Sequence, residues 1–222
     1  MSEAVGEVLA FGIGVALSPA AVIAAVLLVI GPDGRASAGL FVVTWALSLA
    51  VVGATALLLA DGAGASDAGG PADWVVVVQV VLALLLVVLA VSQWRGRLRD
   101  GVASEMPLWM RKVDGLTARQ AVGMAIFLAS GKPKNLLLTV GAAVAIAELG
   151  ASAGAQAGAL AVFVLLGTLA PAAPLAMSLL LRNRSAAVLG GLREWMVREN
   201  ATIVAVLCLV FAAKLLGDAL SA

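Results

Sequence analysis

From Trp74 to Gln93 the chain carries no charged residue, and the body of that run reads VVVVQVVLALLLVVLAV. A helix needs about 20 apolar residues to cross the hydrocarbon of a bilayer, and this run supplies them. Five further stretches qualify: about Ala4 to Ile30, Ala36 to Ala60, Ala118 to Ala147, Gly154 to Leu181 and Ala201 to Leu216. Valine-rich runs also occur as buried strands, but runs of this length fit helices better.

Composition decides between a large soluble core and the bilayer. The 222 residues are 63% apolar and 12% charged, whereas a soluble domain is roughly a quarter charged and about half apolar. So little polar sequence cannot cover a globular surface. The formal net charge of +1 gives no general case for nucleic acid or an acidic partner. Histidine is absent, which removes the commonest metal ligand and general base, and no metal site or other cofactor is expected. The lone Cys208 lies in an apolar run and cannot form an intramolecular disulfide. The opening MSEAVGEVLAFG lacks a basic segment and a small-residue cleavage site, so the first apolar stretch is expected to stay as a span.

The connections sort by charge. With six spans, the N-terminus, residues 61–73, the region of Glu148 and the C-terminus share one side. They hold one basic residue, Lys214, and the acids Glu3, Glu7, Asp61, Asp67, Asp73, Glu148 and Asp218. The other side holds Arg35, Arg95, Arg97, Arg99, Arg111, Lys112, Arg119, Arg182, Arg184, Arg193 and Arg198. Basic residues collect on the cytoplasmic side, so both termini are expected outside. Trp74, Trp94, Trp109 and Trp195 fall near span ends, as an aromatic belt requires, while Trp45 sits within a span. Within the basic linker 95–119, EMPLWMRKVDGL (105–116) interleaves apolar and basic residues and suits either a membrane surface or solvent.

Three spans carry helix-breaking residues: Pro19 in ALSPAA, Pro133 in ASGKPKNLL, and Pro171 and Pro174 in GTLAPAAP. Proline removes a backbone donor and clashes with the preceding turn. For Pro171 and Pro174 a packing kink is the simplest account. The GKPKN run is sharper, because a lysine at bilayer depth costs roughly 2.5–3.5 kcal/mol on insertion scales. Lys132 and Lys134 lie deep in an apolar stretch, and must line an aqueous cavity, pair, or snorkel. The basic linker divides the chain into residues 1–94 and 120–222, each opening with a proline-interrupted helix. Three spans per half force opposite orientation, the inverted-repeat plan of many secondary transporters. The expected fold is therefore an all-α integral membrane protein of six transmembrane helices in two inverted three-helix halves. Ser18-Pro19 and Lys132-Pro133-Lys134 then meet near the midplane.

GVALSPAAVIAAVLL, the linker PLWMRKVDGLT and the following SGKPKNLLLTVGAA resemble the GAP family, named for proteins that address glycopeptidolipid and sulfolipid to the mycobacterial surface. It belongs to the lysine-exporter (LysE) superfamily. The resemblance implies an Asn-Pro-Lys-Asn pattern after the linker; Pro133, Lys134 and Asn135 match it, and Lys132 replaces the first Asn. It also implies a multi-pass protein of the bacterial cytoplasmic (inner) membrane.

These residues point first to a secondary exporter of an anionic or amphiphilic substrate, such as a glycolipid, its precursor or a small organic anion. Lys134 would be the principal anion contact and Lys132 a second, with Asn135 and Ser18 supplying neutral hydrogen bonds; the alternative role for a motif lysine is structural, clamping the carbonyl ends of a broken helix. No Asp or Glu lies in the middle of a span, which disfavours the alternative of exporting amino acids or other cationic solutes. A further alternative is a non-transporting accessory subunit of a lipid export machine. An enzyme is not expected: there is no His, and Ser130 lies only two residues from Lys132, off its helical face. SGKPKN lacks the hydroxyl of a nucleotide-binding loop, so a gradient must supply the energy. Gly154, Gly158 and Ala161 allow close helix packing, in a homodimer or within one chain.

Overall fold

The computed structural model describes residues 2–31, 33–67, 70–71, 73–99, 118–180 and 185–221. The first apolar stretch forms α1 (Ser2–Ala16) and α2 (Pro19–Ile30), followed by α3 (Gly34–Gly62). A two-residue antiparallel ladder, β1 (Ser66–Asp67) with β2 (Gly70–Pro71), pairs Ser66 with Pro71 ahead of α4 (Asp73–Arg99). Then come α5 (Ala118–Ile126), one π-helical turn (Phe127–Gly131), α6 (Pro133–Glu148), α7 (Ala153–Leu180) and α8 (Ser185–Ser221).

Among the described residues four helical stretches are long and apolar enough to cross a bilayer: Gly34–Gly62, Asp73–Gly96, Ala153–Leu180 and Arg198–Leu220. A fifth arises if Val8–Ala16 and Pro19–Ile30, bent by 50° at their break, count as one span. The stretch expected as the fourth span is divided: α5 has 9 residues and α6 has 16, each shorter than a full crossing. The surface has the character that hydrocarbon demands. Val51, Leu58, Val88 and Leu165 each expose more than 60% of their area, with similar residues around α3, α4, α7 and α8, a contiguous apolar exterior that water would not tolerate. The chain is a multi-pass, helical membrane protein.

The two interrupted segments occupy the interior. α2 buries Pro19 through Val26 and Leu28, and α6 buries Lys134, Asn135, Leu138, Thr139 and Gly141 through Ala147. Small side chains let these helices approach closely: a Cβ on Gly14 would run into the Phe211 ring, which stacks on Phe11 at 5.6 Å between centroids. Around this centre α1 and α2 pack on α7, α5 and α6 pack on α3, and α4 lies along α8. Polar contacts tie the ends of the bundle. Gln156 Nε2 donates to Asp61 Oδ1 at 3.0 Å and Gln79 Nε2 to Glu148 Oε1 at 2.5 Å, at one end. At the other, Arg35 donates to the Ser178 carbonyl at 3.2 Å. These contacts group the loops as the charge count does.

Three expectations change. Pro171 and Pro174 do not break their helix; α7 runs through both. The carbonyl that Pro171 leaves without an N–H is that of Gly167, four residues earlier, and Trp45 Nε1 donates to it at 3.1 Å. This bond also accounts for the one tryptophan outside the aromatic belt. Second, the basic connection 182–193 is helical from Ser185 and continuous with the last span. Third, α4 continues to Arg99, past the expected span end at Gln93, because arginine stems follow a helix out of the membrane with their charges in the headgroups. Residues 100–117, which include Trp109 and EMPLWMRKVDGL, lie outside the described residues, as do Arg182 and Arg184.

Candidate functional site

Both interruptions have the same local cause. Ser18 (φ −108°, ψ 94°) and Lys132 (φ −86°, ψ 125°) are extended, as a residue before proline must be. Each following proline sits in the first turn of a new helix, where its missing N–H costs nothing. Neither Ser18 nor Lys132 caps its helix with a side-chain hydrogen bond, so the positive ends of α2 and α6 are left for another group.

The break frees carbonyls as well. The Ser18 N–H, which a continuing helix would aim at the Gly14 carbonyl, turns instead to the Ala16 carbonyl at 2.7 Å. Lys134 fills the vacancy: its Nζ donates to the Gly14 carbonyl at 2.8 Å and the Leu17 carbonyl at 3.2 Å. It is buried, and neutralises the negative end of α1. The second break is tied in a comparable way. Leu128 lies five residues before Pro133, which has no N–H to return across a π-type turn; Asn135 Nδ2 donates to the Leu128 carbonyl at 2.8 Å. Thr139 Oγ1 in turn donates to the Asn135 carbonyl at 2.8 Å. The Asn135 Oδ1 atom is buried with no protein partner.

The two breaks converge on one cavity of about 320 Å³. Ser18, Pro19 and Ala20 line it from the first, and Gly131, Lys132, Pro133 and Lys134 from the second. α4 adds Leu89 and Gln93, α8 adds Asn200 and Val204, and the π-turn adds Phe127. Among the described residues no Asp or Glu lines it. Lys132 is half-buried and has no hydrogen-bond or ion-pair partner among the described residues. Of the two lysines, Lys134 is held by backbone carbonyls, and both line the cavity. Ser18 lies at the cavity wall as expected, whereas Asn135 braces the π-turn behind it.

The sequence profile of the family described as Sap, sulfolipid-1-addressing protein, matches residues 8–221. The chain belongs to the sulfolipid-1-addressing protein family. No curated protein and no solved structure matches it. The family match takes in both proline breaks and every residue lining the cavity, and agrees with the resemblance carried by the GKPKN block.

In this member of the family, Gln93 and Asn200 are polar cavity residues that sequence reasoning does not single out. Both lie just inside basic span ends, where a polar residue normally reads as interfacial, so only the fold brings them beside Lys132. Trp45 carried a legible signal, a polar N–H at bilayer depth, but its partner on α7 is 122 positions away.

Proposed function

We propose that this protein is a secondary transporter that exports an anionic amphiphile, of the sulfolipid kind for which its family is named. The observation that carries the reading is the cavity at the two breaks. Lys132 and the uncapped N-termini of α2 and α6 meet at it, with no carboxylate among the described lining residues. Lysine charge, helix dipoles and first-turn N–H groups all favour a sulfate, phosphate or carboxylate. Such a group would be held weakly enough to leave, since Lys132 supplies a single ammonium. The protein acts as a carrier and not as an enzyme, with the bilayer as its environment and no nucleic acid as partner.

The test is flux in liposomes with purified protein. Wild type is expected to move a sulfated glycolipid, and Lys132→Ala to lose that flux roughly ten- to hundredfold, the worth of one charge-assisted contact. Equal transport of a cationic amino acid would favour the amino-acid exporter. No transport by stable wild-type protein would favour an accessory subunit of a lipid export machine.

The architecture that goes with this reading is six spans in two inverted halves, with α5, the π-turn and α6 counted as the fourth span. Support comes from the matched pairings: α2 packs on α7 and α8 as α6 packs on α3 and α4. Extended-Pro steps at both breaks add to it. Both termini are then outside, in a bacterial cytoplasmic membrane. In a Cys208→Ala background, Asp67→Cys is expected to react with an impermeant thiol reagent on intact cells. Ser104→Cys is expected to react only after permeabilisation. Labelling of both on intact cells would overturn the topology.

A further inference from the structure

Among the described residues, α4 and the π-turn both line the cavity without packing closely on each other. Among those residues α4 packs along α8 and against α6 far more extensively than on α5 or the π-turn. Yet Leu89 and Gln93 of α4 face the same cavity as Phe127 and Gly131 of the π-turn. Between them the described residues leave a gap in the helix wall, and its rim is apolar. Phe127 exposes 60% of its area at the outer surface while also lining the cavity. Its ring leans over Gly131, where a Cβ would come within 2.9 Å of it. On the other rim, Leu85 and Val88 face outward next to Leu89. The π-helical turn widens the helix at this place, and glycine leaves the space that a side chain would fill.

We infer that the gap between α4 and the π-turn is a lateral portal that holds the hydrocarbon chain of the anionic amphiphile while its head group sits at Lys132. This rests on the reading of the cavity as an anion site. The cavity and the gap together fix the class of occupant. About 320 Å³ accommodates a head group and lies at the small end of ligand pockets, so a long chain cannot also be enclosed. A chain left in the bilayer keeps its apolar surface out of water during head-group transfer, and it needs an opening in the wall next to the charge. Phe127 and Leu89 provide that opening, continuous with the cavity. A free inorganic anion would need no such rim.

The experiment uses the full chain in phosphatidylcholine nanodiscs and a dodecyl sulfate probe carrying a diazirine in mid-chain, with adducts mapped by mass spectrometry. A dodecyltrimethylammonium probe of the same length runs in parallel. Sulfate-probe adducts are expected to concentrate on Phe127 and Leu89 and their immediate neighbours. They are expected to fall about tenfold with excess unlabelled dodecyl sulfate or in folded Lys132→Gln, and to exceed those of the ammonium probe. Adducts that depend on Lys132 but map between other helices would overturn the portal and leave the anion site standing. Adducts spread over the lipid-facing helices, indifferent to Lys132 and to probe charge, would overturn both.

Discussion

Lys134→Ala is expected to lower the thermal unfolding midpoint of the protein in detergent by roughly 5–10 °C, and to abolish transport with it. Lys134 Nζ is the donor to two carbonyls that the break after α1 leaves open, those of Gly14 and Leu17. Alanine removes that donor where water does not reach, since Lys134 is 6% exposed. A buried polar group left unsatisfied costs about 1–3 kcal/mol. Two such groups, offset by release of the desolvated ammonium, leave a net loss of about 2–3 kcal/mol. For a chain of this size each kcal/mol moves the midpoint by roughly 2–4 °C. Cys208, free and buried in α8, supplies the readout, because a thiol-reactive fluorophore reaches it only on unfolding. Lys132→Ala is the contrast. Its ammonium has no protein partner among the described residues, so the stability is expected to stay within about 0.5 kcal/mol of wild type or to rise. Equal midpoints for wild type and Lys134→Ala would refute the clamp.

The second large effect concerns Trp45. Trp45→Phe is expected to destabilise by about 2–3 kcal/mol, combining a cavity in the core with an unsatisfied Gly167 carbonyl. The ring is fully buried and stacks on Phe41 at 6.1 Å between centroids. The two contributions separate in a double-mutant cycle. Pro171→Ala restores the N–H that α7 lacks opposite Gly167, so Trp45→Phe in that background is expected to cost about 1 kcal/mol less. Additive losses would show that the indole serves only as packing. Because Trp45 and Pro171 lie on helices that cross at the centre of the bundle, the bond also explains how α7 carries a proline without an interruption.

The contrast between the prolines shows what a sequence can and cannot announce. Pro19 and Pro133 break their helices, and Pro171 and Pro174 do not; the ring is the same in all four. At Pro19 the freed carbonyls meet a lysine from another element, and the chain turns there by 50°. At Pro171 they meet an indole while the helix keeps its course. The outcome depends on which donor the neighbouring helix brings to the freed carbonyl. No local pattern encodes that.

The same holds for the lysines. GKPKN marks the place of the cavity, because two cations in an apolar stretch require a protein explanation. Which of the two is tied to backbone depends on where the end of α1 comes to rest, 117 to 120 residues earlier in the chain. Phe127 reads as one more lipid-facing residue until the π-turn and the gap beside α4 give it an edge of the cavity to occupy.

By itself the sequence determined the membrane class, the apolar stretches and the two proline breaks. Each follows from composition or from spacing along one helix. Only the tertiary structure decided that Lys134 clamps while Lys132 has no partner among the described residues, that α7 survives its prolines, and that the two breaks open into one cavity. Those outcomes are set by hydrogen bonds and contacts between helices far apart in the chain, where a freed carbonyl takes whichever donor the packing delivers.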